Sequence, residues 1–205
     1  MIAKALRLLT TQLRQYIAST DTVPDPPDAT EPPSPYVVLG NIALADVPDL
    51  SPPIRQRTVL SMVNVHEEAA FKNAPHYERN GTDTRYRNAP VHMNLFLLFS
   101  ANYDLYENAL IRLSQVIEFF QGKNVFTFLD APLPEFIGDE ELAEVRLILD
   151  LYTLSFEQIN YLWGSLGGKQ VPSVMYKMRL VRLKADRTLA TGKLIEEIES
   201  REDIY

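Results

Sequence analysis

Nine of the 14 prolines fall between Pro24 and Pro53, and that clustering decides how the first quarter of the chain can be used. Proline has no N–H and a fixed φ, so residues 22 to 35 (TVPDPPDATEPPSP) can form neither a helix nor a central strand. The segment is expected to be an extended, semi-rigid strap, a plain linker being the simpler alternative. A recognition motif built on proline is less favoured, because nothing in the segment repeats. The strap separates an N-terminal element from a strand-rich body.

The N-terminal element is a helix over residues 2 to 18. Ile2, Ala5, Leu6, Leu9, Leu13, Tyr16 and Ile17 recur at the three- and four-residue spacing of one face, and Lys4, Arg7, Gln12, Arg14 and Gln15 take the other. It should end near Ser19-Thr20-Asp21, whose short polar side chains compete for the backbone. Lys4, Arg7 and Arg14 interrupt the apolar run, so it does not read as a signal peptide. No stretch approaches the ~18 apolar residues that a membrane span needs. The expectation is a soluble protein made in the cytoplasm, with no membrane insertion.

Beyond the strap, residues 36 to 43 read as a short strand with Gly40 at a bulge or close contact. Residues 57 to 65 alternate with apolar side chains on both faces, which predicts an interior strand. Residues 91 to 101 make the strongest strand, with Val91, Met93, Leu95, Leu97 and Phe99 on one face. A second helix runs from about Tyr103 to Phe120, its apolar positions being Leu105, Ala109, Leu110, Leu113, Val116, Ile117 and Phe120, and Gly122 fits its stop. Residues 124 to 129 and 143 to 152 are strands. Ser155 with Gln158 forms a capping box for a short helix stopping at Trp163-Gly164, and residues 173 to 183 make the last strand. Strands that follow one another argue for an α+β domain: a mixed, mostly antiparallel sheet of about five to six strands covered by two main helices. The expected boundaries are one domain over 1–183 and a tail over 184–205.

The chemistry that the composition excludes is broad. Cys is absent, which removes disulfides, thiolate metal sites and cysteine nucleophiles. Only three His leave little for a histidine-built metal centre. A net charge of -7 argues against a general nucleic-acid binder. No GxGxxG or GxxxxGK[ST] occurs, and Gly164 to Gly168 (GSLGG) follows a helix rather than opening one, the reverse of a phosphate loop. His66-Glu67-Glu68 places an imidazole beside two carboxylates, a conceivable base or metal ligand, but neighbours on a strand point to opposite faces. A strand-end polar cluster is the plainer reading. His92 fits a satisfied, partly buried position and His76 has no obvious partner. Glu140, Glu141 and Glu144 read as a solvated acidic run, and Ser155 and Ser173 lack the flanking glycines of a nucleophile elbow. No enzyme, no cofactor and no metal site is expected.

What remains suggests interaction. Residues 66 to 90 are polar, with Asn80-Gly81 as a hairpin-turn signal, and predict a long projecting arm. Arg79, Arg85, Tyr86 and Arg87 make it the most basic and aromatic segment of an acidic chain, and Arg and Tyr are favoured at protein interfaces. A merely mobile loop is the alternative. In the tail, Ile195 and Ile198 sit among acidic residues, which reads equally as an amphipathic helix docking on a partner or as a frayed terminus.

The segments LGNI (Leu39 to Ile42), LSMVNVHEE (Leu60 to Glu68), VHMNLFLLFSANY, IEFFQGKNVF (Ile117 to Phe126) and LSFEQINYLWGSLGGKQVPSVMYKMRLV occur in an order that resembles the tail terminator, or cap, family of extracellular contractile injection systems. The resemblance covers roughly residues 2 to 183. Its pattern LxxLxxLWxxLGxxxxPSVxYxxR is approximated by Leu154, Leu162, Trp163, Leu166, Gly167, Pro172, Ser173, Val174, Tyr176 and Arg179, with a departure at Ile159. Some members run longer at the C-terminus. The resemblance implies a structural protein that forms a six-fold ring, binds the last ring of the inner tube, anchors the last sheath ring and stops polymerisation. It also implies assembly in the cytoplasm and a place in the finished particle. The alternatives are an adaptor joining tube or sheath to a cap or baseplate, an assembly chaperone that leaves the particle, and a small enzyme using His66, Glu67 and Glu68. The matched Trp163, Tyr176 and Phe119-Phe120 are expected in the core. Gly164, Gly167 and Gly168 are expected to serve backbone conformation, and Pro172 to set the start of the last strand.

Overall fold

The computed structural model describes residues 1–20, 36–47, 53–68, 77–80, 83–87, 91–128, 145–183 and 188–193, with the backbone alone at 77–80, 83–87, 91, 180–183 and 188–193. The expected strap at 22–35, His76, the acidic run Glu140, Glu141 and Glu144, and Ile195 and Ile198 lie outside the described residues. The chain divides into two compact units, Met1–His66 with Met93–Val181 and Glu67–His92 with Arg182–Tyr205.

The larger unit is an α+β layer built on a mixed, six-stranded open sheet. In chain order its elements are helix α1 (Ile2–Thr20), strand β1 (Val37–Leu39), a 3-10 turn (Ile42–Leu44) and strand β2 (Arg57–Glu67). Two short strands, β3 (Tyr77–Asn80) and β4 (Asp83–Arg87), belong to the second unit. Strand β5 (Val91–Asn102), helix α2 (Tyr106–Gly122), strands β6 (Val125–Thr127) and β7 (Arg146–Leu151), helix α3 (Phe156–Ser165), and strands β8 (Ser173–Leu183) and β9 (Thr188–Lys193) follow. The sheet order is β1-β2-β5-β8-β7-β6. β1 runs parallel to β2, whereas β7 runs antiparallel to both β6 and β8.

Neighbouring strand residues point to opposite faces, and each face finds its own cover. Phe99 and Tyr176 meet Phe120 of α2 with ring centroids 5.2 and 4.7 Å apart, and Phe126 joins them at 5.8 Å from Phe120. Their neighbours Leu98 and Met175 turn the other way and pack with Val38, Ile42, Ile54, Val59 and Trp163. Ile159, Leu162 and Leu166 close that second core from α3 and its end. Trp163, Tyr176 and Phe120 are buried as expected, and Phe119 is half-buried against Tyr16 of α1.

Local chemistry explains where the elements stop. Ser19 and Thr20 donate from their hydroxyls to the Tyr16 carbonyl at 2.7 and 3.0 Å, which satisfies the open end of α1. Arg14, expected on the outer face of α1, instead donates from Nε to the Val37 carbonyl. The Tyr36 carbonyl accepts from Thr58 of β2, so the next carbonyl along faces away from β2 and the guanidinium covers it. The strand expected over 36–43 ends at Leu39. Gly40 lies where an added Cβ would stand 3.0 Å from Ile54 Cγ2, and the Ser61 hydroxyl donates to the Gly40 carbonyl and accepts from the Ile42 N–H. Asn41 Oδ1 then caps the 3-10 turn through Ala43 N–H. Ser155 and Gln158 form the expected capping box of α3. Gly167 and Gly168 take φ of 102° and 81°, as glycine allows; Gly164 has ordinary helical backbone and open space around it, so no conformational need explains it. The Pro172 carbonyl accepts from Ala101 N–H at 2.9 Å, at the start of β8.

Candidate interaction surfaces

The second unit carries the basic segment. β3 and β4 pair antiparallel from Tyr77↔Tyr86 to Asn80↔Asp83, so a hairpin forms beside the Asn80-Gly81 signal. It is not a free two-stranded ribbon: β9 pairs with the other edge of β4, making a three-stranded sheet in the order β3-β4-β9. Residues opposite each other share a face. Arg79 pairs with Thr84, and Tyr86 with Tyr77 and Ala190, on one face. Arg85 pairs with Glu78 and Thr191 on the other. Arg87 lies beyond a register shift between Tyr86 and Arg87 and pairs with Thr188. The four residues singled out by sequence are therefore brought to one strand pair but divided between its two faces.

His66 and Glu67 are exposed at the end of β2, and as strand neighbours they leave on opposite faces. The His66 ring is engaged locally, with Nε2 3.0 Å from Asn64 Nδ2 and its face edge-on to Phe96 at 5.1 Å. Among the described residues no group of three or more His, Asp or Glu is placed to hold a metal ion. No described helix is long and apolar enough to cross a membrane.

Sequence reasoning missed two surface features of the larger unit. A groove of about 780 Å³ lies between the 3-10 turn, residues 53 to 55, the end of β5 and the segment after α3. Two exposed ion pairs stand on it, Lys169–Asp46 at 2.6 Å and Arg55–Asp104 at 2.9 Å. Arg55, by hydrogen bond and charge, holds the Asp104 carboxyl below its usual value. A second groove of about 720 Å³ is apolar and runs between α2, the residues after β7, α3 and the start of β8. Helical spacing placed Leu105, Leu110 and Ile117 with the core of α2, yet they are exposed; Ala109, Arg112, Gln115, Val116 and Phe120 are the buried residues.

Arg112 and Gln115 are the polar residues that α2 buries, and Arg112 is the charged one. Its guanidinium lies 4.6 Å over the Tyr36 ring and donates to Gln115 Oε1 at 3.1 Å. Tyr103 sits beside Arg112, Thr58 and Arg57, and burial raises its phenol pKa above the ordinary value despite the positive charge of Arg112.

Comparison with known proteins bears on the fold. The chain is similar to the cap of the anti-feeding prophage, a tube-terminating cap, with a TM-score of 0.58 and 13% identity over 98% of this chain and 62% of that one. It is also similar to the sheath/tube terminator, in its extended state, of the extracellular contractile injection system PVC. There the TM-score is 0.55 and the identity 13%, over 100% of this chain and 65% of that one. The chain thus spans less than two thirds of the length of these two proteins, and at such identity the likeness is one of fold. Among curated proteins none matches the chain. The terminator resemblance carried by the ordered motifs is borne out at this level, and the motif from Leu154 to Arg179 falls inside the region matched by sequence. Residues 5–197 match the Pvc16 N-terminal domain, and the chain belongs to that family.

Proposed function

We propose that this protein is a structural assembly component that caps the inner tube of a contractile injection particle and anchors the last sheath ring. The observation that carries the reading is the breadth of the likeness. The matches to a tube-terminating cap and to a sheath/tube terminator cover 98% and 100% of this chain. The role needs no turnover. It needs one surface complementary to the growing tube end and another that refuses a further tube ring. A closed ring, six-fold as in the resemblance, supplies both by repeating one subunit. The segment 66–90, with Arg79, Arg85, Tyr86 and Arg87, serves as an arm reaching a neighbour, and Ile195 and Ile198 of the tail add apolar contacts. Assembly takes place in the cytoplasm, after which the subunit stays in the particle.

The reading is tested by mixing the purified chain with tube protein and with sheath protein, each polymerised separately, and sedimenting the polymer. Stoichiometric cosedimentation at one end per polymer, with ring-shaped self-association by mass photometry, is expected. A chain that stays monomeric and remains in the supernatant with both polymers contradicts it.

A further inference from the structure

Helix α2 is apolar on two sides. One side meets the sheet through Ala109, Val116 and Phe120. The other carries Tyr106, Leu110, Leu113 and Ile117, spaced four, three and four residues apart, which is the seam spacing of a helix that packs against another helix. Yet Tyr106 is 65% exposed, Leu110 44% and Ile117 38%. Across the groove stand Leu151 and Tyr152, 58% and 36% exposed. A contiguous apolar patch of this kind on a soluble fold marks a binding surface.

The charges around the groove select the occupant. No charged side chain lines it among the described residues. The exposed charges on the two helices beside it are acidic, Glu107 and Glu118 on α2, the latter accepting from the Tyr16 hydroxyl of α1, and Glu157 on α3, while Lys169, next to the lining residue Gln170, is paired with Asp46. The cation of α2, Arg112, is buried on the far side. A second copy of this acidic chain would bring like charges together, whereas a basic flank would be drawn in. We infer that the groove between α2 and α3 receives an amphipathic helix of a partner protein, with an apolar seam against Leu110 and Ile117 and Lys or Arg along its flanks. The inference concerns a surface distinct from the basic hairpin and stands whether or not the chain caps a tube.

The probes are two synthetic helical peptides of equal length with the same Leu/Ile seam, one flanked by Lys and the other by Glu. They are titrated against the full chain by fluorescence anisotropy at low and high salt. The Lys peptide should bind saturably, about tenfold or more tighter than the Glu peptide, and should weaken as salt rises. Leu110→Gln, at an exposed position, should weaken it by about tenfold with an unchanged thermal midpoint, and Glu107→Lys with Glu157→Lys should reverse the preference. Equal binding of both peptides, no saturable binding of the Lys peptide, or binding indifferent to Leu110→Gln overturns the inference. So does a homodimer that Leu110→Gln dissolves, which would give the groove to a second copy.

Discussion

A few residues bear directly on the stability of this fold. Gly40 is one, because its α-carbon approaches Ile54 and Val59 at the point where β1 gives way to the 3-10 turn. Gly40→Ala forces a methyl to within 3.0 Å of a buried Ile54 methyl. It should destabilise the fold by about 1–3 kcal/mol in urea unfolding, whereas Gly164→Ala, in open space within a helix, should be neutral or stabilising. Tyr103 is another. Its phenol is buried, and burial lifts its pKa above the ordinary phenol value of 10.0. The unfolded chain therefore releases this proton before the folded one does. The contribution of Tyr103 is fully present below pH 10 and is lost as pH rises beyond it. Denaturant midpoints measured from pH 9 to 11 should fall for the native sequence and fall less for Tyr103→Phe, Tyr176 supplying part of the remaining decline because burial raises it too.

At the scale of elements, periodicity and capping chemistry carried most of the fold. The box at Ser155 and Gln158 was readable because both partners lie within one turn, and it holds in the structure. Ser155→Ala should cost about 1 kcal/mol of thermal or chemical stability. Elements whose ends depend on distant partners were not readable. β1 is four residues shorter at its far end than the apolar run suggested, because Ser61, twenty-one residues from Gly40, takes its backbone groups. β9 escaped notice because TLATGK lacks an alternating apolar pattern, and it holds its place through main-chain pairing with β4. The two apolar stripes of α2 carry the same helical period, so spacing alone could not tell which meets the sheet. The answer depends on Arg112 finding Tyr36 and Gln115 in the interior. The candidate surfaces were legible in type but not in detail: an arginine- and tyrosine-rich hairpin could be anticipated, its division between two faces could not, and the groove over α2 left no signal separable from core.

For the whole chain, the likeness is wide and shallow at once. It spans 98% and 100% of the residues at 13% identity. What those proteins and this one share is therefore the fold, and a shared fold does not by itself carry shared surface chemistry. The most direct measurement is the length of assembled particles, by electron microscopy, from a host in which the coding gene has been deleted. A terminator predicts overlong naked tubes or particles with sheath detached at one end, both restored by the native gene. Particles of normal length with sheath attached at both ends would contradict the capping account.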